Sequence, residues 1–416
     1  MATIAPLRGI IYNQAKAGKL GALVCPPYDI ISSAEQQDLY RENPYNVIRL
    51  EYGLASPGDT EEDSRYTRAA AAFAEWTRTN ILKQDKDPAF YIYEMEFTVG
   101  GAVKKLRGFI GRVRIEDYDS GIVKPHETTL SGPKTDRLNL LRACKASFSQ
   151  IFSIFSDPQG IVSSILGKIR EKPELEVKSS DNVVHRTWIL RDKQDIEAIV
   201  REMADKQIFI ADGHHRYDTA LNYRNERRKA ADSFTGEEGY NYVSMFLARL
   251  EDPGLTILPA HRIIRYPGKN IPDLLSGYFE TKTIPLEGDI IEVMRGKDQT
   301  LGLYQKGQKH YYLLKYKGDG MKEIHPAVKG LDVTILHELV LKGLLGVSSV
   351  QYEMDPSLAQ RMVSEGEYDA VFYLNPTKVE DVERVALSSM RMPPKSTYFY
   401  PKVMTGFIIN SFKNSI

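Results

Sequence analysis

The residues best suited to chemistry crowd into residues 207–217, which read Q-I-F-I-A-D-G-H-H-R-Y. An apolar run at 208–211 stops at Asp212-Gly213, two histidines and an arginine follow, and residues 219–227 then read as a helix. A short buried strand, a glycine turn and a helix start together make an anion pocket, because backbone N–H groups and the positive end of the helix dipole converge there. Gly213 lets the backbone approach a ligand and tolerates a positive φ. Arg216 offers a two-pronged fork for phosphate or carboxylate. His214 and His215 are suited to donate to phosphate oxygens or to shuttle a proton near neutral pH. Asp212 is suited to cap the helix or to hold a magnesium-bound water. The competing interpretation is a polar helix cap beside an exposed Asp-Gly turn, against which two adjacent histidines and an arginine weigh. Zinc is not expected, since adjacent histidines are awkward joint ligands and no Cys or Glu completes a metal spacing.

A second cluster is His126-Glu127-Thr128-Thr129 with Lys134 and Arg137. A carboxylate beside a histidine in a hydroxyl-rich loop is suited to general-base work. Lys134 and Arg137 fall in the first turns of an expected helix, where cations oppose the macrodipole, and an anion there would offset that cost. A solvated loop whose charges pair with one another explains the same residues. Cys25-Pro26-Pro27-Tyr28-Asp29 forms a rigid turn that presents Tyr28 and Asp29, or serves structure alone; Cys25 reads as a small buried residue. Lys395, Ser396, Thr397, Tyr398 and Lys402 make a cationic, aromatic segment, either a phosphate-binding strand or a docked tail. His337, inside an apolar helix, reads as core.

Elements that position these clusters follow from periodicity. Strands are expected at 22–24, 47–50, 89–97, 106–115 and 183–190, and Gly100-Gly101 joins two of them as a hairpin. Helices are expected from Ser33 to Arg41, opened by a Ser33/Gln36 capping box, and at 60–79, where Tyr66, Ala69, Phe73 and Trp76 share a face. Further helices are expected from Pro133, at 161–172 and at 195–204. Beyond the 207–217 stretch, strands at 242–250 and 256–262 flank the Asp252-Pro253-Gly254 turn. Helices at 332–345 and 356–365 then alternate with strands at 301–304, 310–315 and 370–374. The class is α/β, mixed α+β. The expected division is a catalytic or nucleotide-binding region at 1–265, an α+β accessory region at 266–390, and a C-terminal segment at 391–416 folding back toward the site.

Composition excludes several functions. Lys+Arg and Asp+Glu number 55 each in 416 residues, so the basic surplus typical of nucleic-acid binders is missing. Two cysteines build neither a disulfide framework nor a four-thiolate site, which fits a reducing cytoplasm. No signal-peptide layout opens the chain, and no apolar run reaches membrane-spanning length. The phosphate-loop, dinucleotide and nucleophile-elbow signatures are all missing.

The order of these motifs resembles a family of microbial proteins labelled a domain of unknown function, DUF1015. The resemblance rests on C-P-P-Y-D-I-I at 25–31, N-P-Y-N-V-I-R-L at 43–50 and H-E-T-T-L-S-G-P-K-T-D-R-L at 126–138. A-D-G-H-H-R-Y at 211–217, E-D-P-G-L-T-I-L-P-A-H-R at 251–262 and M-P-P-K-S-T-Y-F-Y-P-K at 392–402 complete it. In addition, Gly213-His214-His215-Arg216 is similar to the phosphate-binding turn of the ParB/sulfiredoxin fold. That fold includes free-serine kinases using ADP or ATP and CTP-dependent DNA-partitioning proteins. Sulfiredoxins carry G-C-H-R at the turn, and His214 here stands in place of the cysteine. The partitioning branch requires a helix-turn-helix DNA domain that this sequence does not display.

The resemblance therefore implies a ParB/sulfiredoxin-like nucleotide-binding core elaborated by insertions, and a phosphotransferase acting on a small hydroxyl metabolite. His214, His215 and Arg216 would clamp the phosphates with Asp212 and Gly213, and Lys134, Arg137, Lys395 and Ser396 would complete the cradle. Glu127 would be the base, with His126 and Asp29 as further candidates. ADP or ATP and Mg2+ are the implied cofactors, and a nucleotide and a small substrate the implied partners. A nucleotide-binding regulator without turnover and a small-molecule phosphohydrolase are the alternatives.

Overall fold

The computed structural model describes residues 2–129, 131–169, 171–268 and 270–412. Leu130 of the H-E-T-T-L motif and Arg170 of the helix expected at 161–172 lie outside the described residues. The chain is mixed α+β and divides into two compact units. The first comprises Met1–Lys124, Thr129–Thr256 and Pro401–Ile416, and the second Pro125–Thr128 and Ile257–Tyr400.

The first unit is built on a nine-stranded mixed sheet. Its order is Val123–Lys124, Ile208–Asp212, Ile151–Phe155, Tyr242–Arg249, Ala102–Arg114, Phe90–Val99, Val184–Leu190 and Leu175–Lys178, with Ile4–Ala5 pairing onto Ala102–Arg114. Two pairings are parallel, Ile208–Asp212 with Val123–Lys124 and Ile151–Phe155 with Tyr242–Arg249. The expected hairpin forms, with Val99 opposite Ala102 and both glycines at positive φ. The first six residues of Phe90–Val99 are all buried, so both sheet faces are covered there. Phe90, Phe109, Ile151, Phe155, Ile210 and Leu247 share one apolar core with Ile199 and Met203 of the helix Lys193–Met203.

Several local expectations fail for identifiable reasons. Residues 47–50 are not a strand but lead into the helical turn Ile48–Glu51, because the Asn46 side chain accepts the Ile48 N–H at 2.9 Å and starts the turn. The strand expected at 22–24 is replaced by the 3-10 turn Leu20–Ala22. Ser33–Glu42 is capped one residue earlier than expected, by Ser32 with Glu35 closing the reciprocal capping box. Arg65–Arg78 starts at Ser64, whose box partner is Thr67, and buries Ala69, Phe73 and Trp76 as expected. The helix expected from Pro133 spans Ser131–Cys144, and the one expected at 161–172 ends at Leu166 before Gly167.

The second unit holds a six-stranded antiparallel sheet, ordered Phe279–Pro285, His310–Tyr316, Thr300–Gln305, Ala370–Tyr373, His261–Ile264 and Gln351–Glu353. Strand His261–Ile264 begins only after Pro259, so the single strand expected at 256–262 is broken. The helix expected at 332–345 is Asp332–Thr334 followed by a π-helix, Ile335–Leu345. That π-helix buries Ile335, Leu336, Val340 and Leu341 among Leu301, Leu314 and Phe372 of the sheet.

Candidate functional site

In the first unit, strand Ile208–Asp212 runs into Gly213 and then into helix His214–Ala230. Ile210 pairs with Ser153 and Asp212 with Phe152, so Ala211 is an extra, bulged residue just before the turn. Bulges bend a strand and redirect its side chains, and here one immediately precedes Asp212. Gly213 sits at φ 93°, ψ 29°, and a Cβ there would lie 2.9 Å from two Arg216 nitrogens. Glycine is thus required twice, for the left-handed backbone and for the arginine folded over it.

Arg216 is turned toward protein acceptors. Its Nη1 donates to the Gln150 carbonyl, and its Nη2 donates to Asp212 Oδ2 at 3.2 Å. Lys402 Nζ donates to the other carboxylate oxygen, Asp212 Oδ1, at 3.1 Å. Asp212 therefore does not cap the helix as expected. Gly213 occupies the cap position, and the carboxylate bridges two cations instead. His214 is buried and His215 half-buried. Tyr217 is an anchor: its hydroxyl accepts the Glu116 N–H at 2.9 Å and donates to the Glu116 carbonyl at 2.8 Å.

Lys134 and Arg137, expected to meet an anion, meet protein carboxylates. Lys134 Nζ lies 3.1 Å from Thr129 Oγ1 and 3.5 Å from Asp218 Oδ2. Asp218 also accepts the hydroxyls of Tyr118 at 2.5 Å and Thr129 at 2.7 Å. Arg137 is 5% exposed and donates to Asp136 and to the Glu51 carbonyl, with the Glu51 carboxylate at 3.2 Å. Its guanidinium stacks 4.1 Å from the centre of the Tyr28 ring. Burial alone would lower the Arg137 pKa, but Glu51 and Asp136 hold it above its usual value. Burial raises Asp136 in turn, yet Arg137, the Tyr66 hydroxyl and Arg65 together bring it below the usual carboxylate value. The Tyr28 phenol is pushed up by burial and by Asp29, against the pull of Arg137 and Arg216. Asp29 itself is exposed, and Cys25 is fully buried with its thiol pushed up by burial and by Glu51.

Arg137 and Arg216 line one cavity with Glu51, Ser149, Thr219 and Phe148. The first unit thus brings together the turn, Lys134, Arg137 and the Tyr28 turn. Glu51, Asp136, Ser149 and Asp218 were not singled out from sequence. Asp218 had a signal, since it lies four residues beyond His214 on the same helix face. Glu51 had none, because it follows an apolar run at 47–50 that reads as a strand.

In the second unit, His126 and Glu127 meet the segment carrying Lys395 and Ser396. His126 Nε2 lies 2.8 Å from Thr397 Oγ1. Glu127 Oε1 accepts the Lys395 N–H at 2.9 Å, and the Met392 N–H donates to the His126 carbonyl at 2.8 Å. Lys395 adopts φ 56°, and the Ser396 hydroxyl donates to the Pro393 carbonyl at 2.6 Å. Arg262, 1% exposed, donates to the Lys395 carbonyl at 2.8 Å and to His337 Nε2 at 3.2 Å. His337, which reads as core from the sequence, is half-buried. It accepts from Arg262, and burial with that guanidinium pushes its pKa down to about 3. Among the described residues no group of three or more His, Cys, Asp or Glu is arranged to hold a metal ion, and no helix is long and apolar enough to cross a membrane.

The fold and turn define a mixed α+β protein in which a strand passes through a single left-handed glycine into a long helix. The chain belongs to the family described as proteins of unknown function, DUF1015, whose model matches residues 4–334. No curated protein sequence matches it. Among solved structures it is similar to a free serine kinase in complex with AMP, at 13% identity and a TM-score of 0.37, covering 70% of this chain and 88% of that one. A conserved hypothetical protein from Pyrococcus furiosus is similar at 14% identity and a TM-score of 0.36, covering 71% and 94%. SbnI from Staphylococcus aureus, truncated at its C-terminus, is similar at 11% identity and a TM-score of 0.38, covering 71% and 85%.

Proposed function

We propose that this protein is a nucleotide-dependent phosphotransferase acting on a small hydroxyl metabolite, a free-serine kinase using ADP or ATP. The observation that carries the reading is the turn in the first unit. Gly213 at φ 93° opens a 17-residue helix, and Arg216 beside it shares a cavity wall with Arg137. Phosphoryl transfer asks for charge neutralisation and alignment more than for covalent help, and helix amides with guanidinium groups supply both. His214, His215 and Arg216 are proposed to clamp the phosphates, with Lys134, Arg137, Lys395 and Ser396 as further phosphate ligands. Glu127 is proposed to take the acceptor's hydroxyl proton, with His126 and Asp29 as the next candidates. Asp212 does not fit a directly bound magnesium, since Arg216 and Lys402 each occupy one of its oxygens. Magnesium is proposed only as an ion carried by the nucleotide.

Calorimetry with ADP and ATP tests the clamp. Arg216→Ala is expected to weaken binding at least tenfold, and unchanged affinity would sink the assignment. Incubation with nucleotide and free serine, followed by detection of phosphoserine, tests turnover. Glu127→Gln is expected to abolish product while leaving nucleotide affinity nearly intact. One observation favours a regulator that binds without turnover: Arg216, Arg137 and Asp212 already have protein partners, as a rigid binding unit would. Nucleotide binding with neither phosphoserine nor phosphate release would decide for that reading. Phosphate release without an acceptor would instead mark a phosphohydrolase.

A further inference from the structure

The second unit contains a groove of about 1460 Å³, its open mouth included, formed between residues 295–299, 326–333 and 375–384. The proposed phosphotransfer reaction uses none of its residues. Asp332 is mostly buried in its wall. The Asn375 side-chain nitrogen lies 3.3 Å from Asp332 Oδ2 and also donates to the Lys297 carbonyl at 3.1 Å, which fixes it between the two. No ion pair to Asp332 forms among the described residues. Burial pushes its carboxyl up to about 6, against the pull of Asn375 and of the backbone at Gln299 and Thr300, and Asp298 adds to the push. Lys378 lies near enough to feel the Asp332 charge but does not pair with it, so this carboxylate, largely out of water, lacks a cation in direct contact, and an ammonium group is the ligand chemistry that supplies one.

The same groove has cations along its sides. Lys378 pairs with Asp298 at 2.8 Å and Arg384 with Asp381 at 2.7 Å, whereas exposed Lys297 forms no ion pair among the described residues. Exposed pairs of this kind are worth little and exchange readily, so a ligand carboxylate competes for these cations at small cost. The groove therefore offers an anionic point in its wall and a cationic side, a pattern complementary to a small molecule carrying both charges.

We propose that this groove binds a small zwitterion of the free α-amino-acid class, with its ammonium on Asp332 and its carboxylate toward Lys297 and Lys378. The site stands apart from the nucleotide reading and holds whether or not the protein transfers phosphate. Calorimetry on the full chain, with each of the twenty amino acids and with methylamine and acetate as single-charge probes, tests it. At least one amino acid is expected to bind saturably, with methylamine and acetate each at least tenfold weaker. Asp332→Asn, which keeps the shape, and Lys297→Gln, on the surface, are each expected to weaken that binding at least tenfold without lowering the melting temperature. Three results overturn the proposal: no amino acid binds; binding survives both substitutions, which places it elsewhere; or methylamine binds as tightly as the amino acid, which reduces the groove to a plain cation site.

Discussion

Each unit buries an arginine, and the two solve the same problem differently. Arg137 in the first unit is charge-compensated, with Glu51 and Asp136 against its guanidinium and Tyr28 stacked on its face. Arg262 in the second unit is surrounded by neutral acceptors, namely the carbonyls of Ala260 and Lys395 and the imidazole of His337, with the Tyr352 ring 5.3 Å away. The electrostatic consequence is opposite in sign. Carboxylates keep the Arg137 pKa above its usual value, while burial pushes Arg262 down to about 10 against the weaker support of Tyr352 and Glu127. A buried cation held by charge locks its anions in place, whereas one held by dipoles organises backbone. Arg262 organises Lys395, whose left-handed φ of 56° most residues avoid.

Replacing both arginines by methionine separates the two cases, because the volume is roughly kept and the charge removed. Arg137→Met leaves the Glu51 carboxylate, 3% exposed, with only the Ser149 hydroxyl, at 2.8 Å, among the described residues. Breaking a buried pair from one side costs about 3–5 kcal/mol, since the surviving charge is stranded. Urea unfolding is expected to show a loss of that size, and the double variant Arg137→Met/Glu51→Leu to recover part of it. A neutral Arg137→Met would erase the contrast between the units.

Arg262→Met comes next in size. It strands two carbonyls and an imidazole nitrogen but no charge, so the expected loss is about 1–3 kcal/mol. Its sharper readout is local. The Lys395 amide, which donates to Glu127, is expected to exchange hydrogen faster in this variant, while the amides of strand Ile208–Asp212 keep their protection.

What the sequence revealed follows the same division between local and distant causes. The Gly213 turn, the Gly100-Gly101 hairpin and the amphipathic face of Ala69, Phe73 and Trp76 were legible because residues within a few positions of each other determine them. Residues 47–50 misled because an apolar β-branched run looks like a strand, and the Asn46 side chain that starts a helical turn there is a single hydrogen bond. Lys134 and Arg137 were legible as charges in want of partners. The partners, Asp218 and Glu51, come from far along the chain, and no spacing rule links either of them to Lys134 or Arg137. Arg216 was legible as a fork, but its present acceptors, the Gln150 carbonyl and Asp212, emerge only when the sheet pairs.

Acid titration sharpens the comparison a step further, because buried imidazoles are unevenly placed. In the first unit His185 hydrogen-bonds Tyr93 at 2.8 Å, and burial pushes its pKa down to about 4. In the second unit burial and Arg262 push both His261 and His337 down to about 3. Between the ordinary histidine value and these, the unfolded chain binds protons that the folded one does not, so stability falls as pH is lowered through that window. The slope is about 1.4 kcal/mol per pH unit for each such group. His337→Gln is expected to flatten the acid limb of the unfolding free energy below about pH 6 by up to one proton's worth. An unchanged slope would show that His337 takes up its proton in the folded state.

The smallest effect is expected where charge lies in water. Arg142 on helix Ser131–Cys144 pairs with Glu226 on helix His214–Ala230 at 2.6 Å, with the two side chains 49% and 42% exposed. The geometry is as close as that around Arg137, yet water screens both partners and either one is readily solvated alone. Arg142→Ala is expected to cost about 0.2–1 kcal/mol, shrinking further in 1 M salt. Measured beside Arg137→Met in the same denaturant series, it isolates burial as the variable, since both are arginine–carboxylate contacts of similar length in the first unit. A loss as large as that of Arg137→Met would mean that the two helices depend on this pair to dock. The difference between the two arginines would then lie in helix packing rather than in desolvation.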